Sequence, residues 1–124
     1  PIEYPTCGSV FKNISDKQEV EKVLIVWPEV RELVETKWHG KVSMGYIIKR
    51  LGFSGKQIGG AKITEKHANY ICNVDHAKAS DVATIIEEIN LEIKTPSFHI
   101  TVKIFEIRIV INYLVMRFIP QVFS

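Results

Sequence analysis

The stretch Cys7-Gly8-Ser9-Val10-Phe11-Lys12-Asn13 is answered fifty residues later by Ile58-Gly59-Gly60-Ala61-Lys62-Ile63-Thr64-Glu65-Lys66-His67-Ala68-Asn69. The first reads as an extended lead-in followed by a close approach of backbone. Pro5 restricts Tyr4 to extended geometry, Gly8 lets the main chain come near a ligand, and Val10 and Phe11 have the character of buried strand residues. The second places Gly55, Gly59 and Gly60 ahead of two strand-like pieces, Lys62–Ile63 and Asn69–Asn73. Three glycines so close together predict tight packing or ligand approach. They are not a dinucleotide fingerprint, because the G-x-G-x-x-G order is absent.

Between these stretches, residues 14–42 read as helical. Ser15-Asp16-Lys17-Gln18 fits a capping box with Ser15 as N-cap, and Val20, Val23 and Leu24 follow at helical spacing. Trp27-Pro28 ends that helix, with Pro28 suited to the first turn of the next. Val30, Leu33, Val34 and Trp38 form the stripe of the second, and Gly40 is its stop. A third helix is predicted from Ser43, with Val42 and Ile47 as a hydrophobic staple. Its core face is Ile47, Ile48 and Leu51, and Gly52-Phe53 fits a Schellman ending.

After the glycines and strands, residues 80–94 give the clearest helix, with Val82, Ile85, Ile86, Ile89 and Ile93 on one face. Ser80 is its expected N-cap, Asp81 favours its positive end, and Pro96 closes it. Beyond it, Phe98, Ile100, Val102 and Ile104 alternate with polar residues. The apolar parity then flips to Phe105, Ile107, Ile109 and Ile111, which predicts a β-bulge near Ile104-Phe105. Helices, strands, a helix and strands in that order describe an α+β layout, a small sheet packed by helices.

The bulk numbers exclude several classes. At 124 residues, 46% hydrophobic and 24% charged, the chain is an ordinary globular single domain, 1–124. A net charge of +2 does not mark a nucleic-acid protein. Cys7 and Cys72 are not a Cys-x-x-Cys pair, so no metal site is expected and a reduced, cytoplasmic chain is. The apolar stretch from Ile104 to Ile119 is interrupted by Glu106, Arg108, Asn112 and Arg117, too polar for a membrane span. The opening Pro1-Ile2-Glu3 lacks a start methionine, so a cut piece of a longer protein is expected.

Five pieces in one order resemble the C-terminal, substrate-binding domain of the UDP-N-acetylenolpyruvoylglucosamine reductases (UDP-N-acetylmuramate dehydrogenases). They are Pro5 through Asn13, Gly52 through Ala61, Thr64 through Asn73, Ala77 through Val82, and Glu106-Ile107-Arg108. The resemblance implies the fold of that domain and a part in a flavin- and NADPH-dependent reduction. The reduction converts UDP-N-acetylglucosamine enolpyruvate to UDP-N-acetylmuramate for peptidoglycan synthesis. It implies that Ser9 donates the proton and that Glu106 assists from the other side. It also implies that Gly8, Lys12, Asn13, His67 and Asn69 contact substrate. FAD and NADPH belong to the whole enzyme in that family, on flavin-binding domains upstream, so none is expected on this chain alone. The expected partners are the substrate and those domains, with no nucleic acid and no membrane.

Three departures stand against the pattern. Ser54 replaces the lysine common before the glycine at 55. The segment at about 14–42 is far longer than the few residues expected there, and the tail after about 111 is atypical. They leave open a non-catalytic binding or interaction module that kept the fold, and more weakly a nucleic-acid module using the lysines.

Overall fold

The computed structural model describes Tyr4 and residues 6–94, apart from the Cys7 side chain. The element order is β1 (Thr6–Ser9), α1 (Lys17–Val26), a 3₁₀ turn (Pro28–Val30), α2 (Arg31–Thr36), α3 (Met44–Arg50), β2 (Gln57–Ile58), β3 (Ala61–Ile63), β4 (Tyr70–Asn73) and α4 (Ala79–Ile93). The four strands form one antiparallel sheet in the order β1-β4-β3-β2. The layout is α+β, as the order of apolar periods predicts. The strand or hairpin expected over 98–111 with its bulge, the closing Pro96, Glu106 and the tail lie outside the described residues.

Two helix starts fall elsewhere than expected. Asp16, not Ser15, caps α1: its carboxylate accepts from the amides of Gln18 (2.9 Å) and Glu19 (3.2 Å). The first helical bond runs from Val20 N to Asp16 O, at 2.9 Å, which makes residue 16 the cap. A carboxylate also suits the positive helix end better than a hydroxyl does. At α4 the cap is Lys78, not Ser80. There Asp81, at the third helical position, reaches back to accept from Lys78 N at 2.9 Å. This is the return half of a capping box, and it leaves Ser80 inside the first turn.

The stops match their chemistry. Gly52 sits at φ +88°, Phe53 N donates to Ile48 O (3.1 Å) and Gly52 N to Lys49 O (3.0 Å). These are the two bonds of a Schellman ending. Ser43 caps α3 by accepting from Tyr46 N at 3.2 Å.

Residues 14–42 form a closed helical excursion. Ile14 and Val42 exchange both backbone hydrogen bonds, 3.0 and 2.9 Å, and so pin the base. The excursion leans on α3 through aromatics. Tyr46 takes Trp27 and Trp38 edge-on at centroid separations of 6.2 and 5.2 Å. The Arg50 guanidinium lies 4.2 Å from the Trp27 ring centre and pairs with Glu29. The two tryptophans therefore pack the excursion against α3.

The core joins all of these parts. Val23, Val42, Met44, Ile47, Ala61, Ile63, Ile85 and Ile93 have no solvent exposure. Along α4, Val82, Ile85, Ile89 and Ile93 are buried while Ile86 is partly covered. Each buried isoleucine contributes roughly 1.5–3 kcal/mol by leaving water.

A second device ties the glycine turn to α4. Asp81 accepts from Gly60 N at 3.2 Å as well as from Lys78 N, and Lys56 pairs with Glu88 at 2.9 Å. The main-chain donors, that of Lys78 first and that of Gly60 next, hold the Asp81 carboxyl below its ordinary value of 3.8. A depressed folded pKa gives stability that is present above the unfolded value and lost as pH falls through the folded one. Acidifying from about pH 5 to about pH 3 should therefore destabilise the native chain more than an Asp81→Asn variant. Urea melts at the two pH values check this; equal losses would remove Asp81 from the acid response.

Candidate functional site

Ser9 ends β1, and its direction is set by an irregularity just before it. Thr6 pairs with Cys72 and Ser9 with Tyr70. Three steps along β1 therefore match two along β4, so β1 carries one extra residue. Gly8 takes it up at φ +75°, the left-handed geometry that glycine supplies in a bulge. The Thr6 hydroxyl fastens the kink, donating to Ile71 O at 2.8 Å and accepting from Gly8 N at 3.1 Å.

The bulge decides which face the serine occupies. Paired residues on neighbouring strands share a face. Ala61, Ile63, Ile71 and Asn73 pair among themselves and are all buried, which defines the core face. Lys62 and Gln57 pair with each other, Lys62 pairs with Cys72, and Cys72 pairs with Thr6. Ser9 and Tyr70 fall on this second face. Without the extra residue, strict alternation from Thr6 would put Gly8 on that face and turn Ser9 toward Ile71. Val10, the next residue, is 1% exposed and belongs to the core.

The second face is polar and half-open. Ser9, Tyr70, Thr6 and Lys62 are all partly covered. Cys72 is buried among them, and that burial pushes its thiol up, with Lys62 partly offsetting the shift. The His67 ring tilts against Tyr70 at a centroid distance of 5.4 Å and is itself exposed. Its backbone is looked after separately. Thr64 Oγ1 accepts from His67 N at 3.0 Å and donates to His67 O, so the ring is not recruited to close the turn. Register and turn together thus gather Ser9, Tyr70 and His67 on one side.

The other expected site residues are placed as follows. Asn13 Oδ1 accepts from Met44 N at 3.0 Å and so holds the start of α3. Asn69 Oδ1 accepts from Phe11 N at 2.9 Å, and its Nδ2 donates to Phe11 O at 2.7 Å. Lys12 is exposed at the end of the serine stretch. Glu106 lies outside the described residues.

Sequence reasoning passed over Thr6 and Tyr70. The alternation of Tyr70 and Cys72 against buried Ile71 and Asn73 carried a signal for Tyr70. Nothing local marked Thr6, because its job depends on a partner 65 residues away.

The glycine turn was a natural place to look for a cofactor phosphate. Its Gly60 amide is already taken by Asp81, and a Cβ on Gly59 would lie 2.5 Å from the same carboxylate. An anion of the chain itself fills that cradle, so the turn does not fit a flavin or nicotinamide phosphate. Among the described residues there is no cluster of three His, Cys, Asp or Glu able to hold a metal, and no helix long and apolar enough to cross a membrane.

These features define a class: a small α+β domain whose sheet packs helices on one face and presents a bulge-directed serine on the other. The family model described as "UDP-N-acetylenolpyruvoylglucosamine reductase, C-terminal domain" matches residues 1–110, and the chain belongs to that family. Proteins named UDP-N-acetylenolpyruvoylglucosamine reductase are similar to it. One from a Synechococcus strain is 33% identical over 94 residues, covering 76% of this chain and 22% of its own length. One from Enterococcus faecalis is 36% identical over 94 residues, covering 76% and 23%. One from Latilactobacillus sakei is 37% identical over 86 residues, covering 69% and 20%. The match thus spans between a fifth and a quarter of the length of these relatives.

Proposed function

We propose that this chain is the substrate-binding, proton-donating domain of a reductase that converts UDP-N-acetylenolpyruvoylglucosamine to UDP-N-acetylmuramate in the cytoplasm. Family membership supports the reaction class. The observation that carries the role is the Gly8 bulge, which turns Ser9 out of the core and onto the polar sheet face beside Tyr70.

Reduction of an enolpyruvyl double bond leaves negative charge on the carbon beside the substrate carboxylate, and that carbon needs a proton. A serine hydroxyl is a weak acid in water and serves only when held within about 3 Å of its target. Here Ser9 donates its O–H proton to that carbon: the C–H bond forms as the O–H bond breaks. Fixed dipoles around the substrate carboxylate stabilise the charge as it develops. His67 and Tyr70 line the approach, Lys12 adds a cation at the rim, and Glu106 assists from the opposite side. FAD and NADPH, which supply the hydride, belong to the rest of the enzyme; the described residues are assigned no part in holding them.

The test is replacement. This chain is exchanged for the C-terminal domain of the Enterococcus faecalis reductase, and turnover is measured. Activity above that of the truncated enzyme supports the reading. A folded, flavin-loaded fusion with no turnover would favour a domain that kept the fold and lost the chemistry.

A further inference from the structure

We propose that Asn69 is a positioning residue for Ser9 rather than a contact to substrate. The inference rests on the role given to Ser9 above. β1 ends at Ser9, yet the chain beyond it must stay in place for the hydroxyl to keep its direction. Val10 N still finds backbone, donating to Asn69 O at 2.9 Å. Phe11 is bonded by a side chain instead. The single carboxamide of Asn69 accepts from Phe11 N at 2.9 Å and donates to Phe11 O at 2.7 Å. A carboxamide has the same donor and acceptor pair as a peptide group. Asn69 therefore adds one more rung to the ladder where the β4 side turns away, Tyr70 N donating back to His67 O at 2.9 Å.

Phe11 is 1% exposed, so water does not readily replace that rung. The place of Asn69 is also confined. A Cβ on Gly45 would come within 3.9 Å of both its Cβ and its backbone nitrogen, so the base of the Asn69 side chain lies close against the start of α3. Ser9 is consequently held from both sides, by the Gly8 bulge before it and by the Asn69 clamp two residues after it. The two bonds fix the direction in which the remaining N–H and lone pair of the carboxamide point.

The test uses the Enterococcus fusion with Asn69→Ala, Asn69→Asp and, as control, Ser9→Ala. Positioning predicts that Asn69→Ala lowers kcat about 10–100-fold while KM stays within about threefold, since small misplacements of a reacting group cost that much. The solvent deuterium isotope effect on kcat should grow, because proton delivery becomes slower. Hydrogen exchange should quicken in the peptide around Phe11 while α4 keeps its protection. Asn69→Asp keeps the acceptor for Phe11 N but sets a second acceptor against Phe11 O, so its kcat should fall as well while Phe11 N remains bonded. It also stands in should the alanine variant lose α4 protection.

A rise in KM at unchanged kcat in either folded variant would make Asn69 a substrate contact and overturn the proposal. Faster exchange at Phe11 with both constants unchanged would make the clamp structural only, and overturn it too. If Ser9→Ala itself leaves turnover intact, the functional reading fails first and takes this one with it. If Ser9→Ala is inactive and the Asn69 variants are not, only the positioning role falls.

Discussion

Ser9→Ala in the fusion reductase should lower kcat by about 10²–10⁴-fold, the range for removing a positioned proton donor, and leave KM within about threefold. The expectation follows from where the side chain sits. The kink before it is held by the Gly8 conformation and by the Thr6 hydroxyl. Alanine keeps the strand geometry and the pairing to Tyr70, so the loss falls on the step that needs the proton. A contact made only in the transition state lowers kcat and kcat/KM together. Steady-state kinetics at saturating substrate checks this. A variant within threefold of the native kcat would mean that the bulge directs Ser9 outward for some other reason.

Gly60→Ala should be the most damaging single methyl in the described chain. Its Cβ would stand 2.0 Å from Asp75 O and 2.6 Å from Ala77 N, both backbone atoms. No rotamer change relieves a clash with main chain. The turn between β2 and β3 must instead lift from the β4–α4 connection. Doing so breaks the bonds from Val74 N (2.9 Å) and Asp75 N (3.3 Å) to Gly60 O, and that from Gly60 N to Asp81. Overpacking ordinarily costs about 1–3 kcal/mol, and the lost bonds add to that. A drop in Tm of at least about 10 °C is expected for a domain of this size. Gly40→Ala makes the contrast. Gly40 has φ +82° but nothing within 4 Å of the added atom, so only the backbone conformation resists, at about 1 kcal/mol. Thermal melts of the two variants side by side separate contact from conformation. A Gly60→Ala protein melting within 2–3 °C of native, on the scale of a sub-kcal/mol change, would show that the turn gives way without resistance.

Asn13 and Asn69 stand in stretches whose pattern suggests ligand contact. The fold spends the carboxamide of each on backbone: Asn13 on Met44, Asn69 on Phe11. His67 goes the other way. A residue that could have served only to close its turn has that service done by Thr64, leaving its ring beside Tyr70.

The sequence by itself determined what depends on near neighbours. The α4 stripe, the break at Trp27-Pro28, the Gly52-Phe53 ending and the short strands, expected at 62–63 and 69–73 and found at 61–63 and 70–73, all follow from periodicity or from a residue's own backbone preference. The serine stretch and its companions also pointed to the right family. Where several polar residues competed within one turn, local pattern chose wrongly. Asp16 and Lys78 took the caps from Ser15 and Ser80, because the cap falls where the first helical bond begins. Only the tertiary structure decided the face on which Ser9 lies, since one extra residue at Gly8 changes the parity that alternation alone would give. The purposes of Asn13, Asn69 and Thr6 were likewise set by partners 31, 58 and 65 residues away. A hydrogen bond between distant segments leaves no periodic trace in either of them.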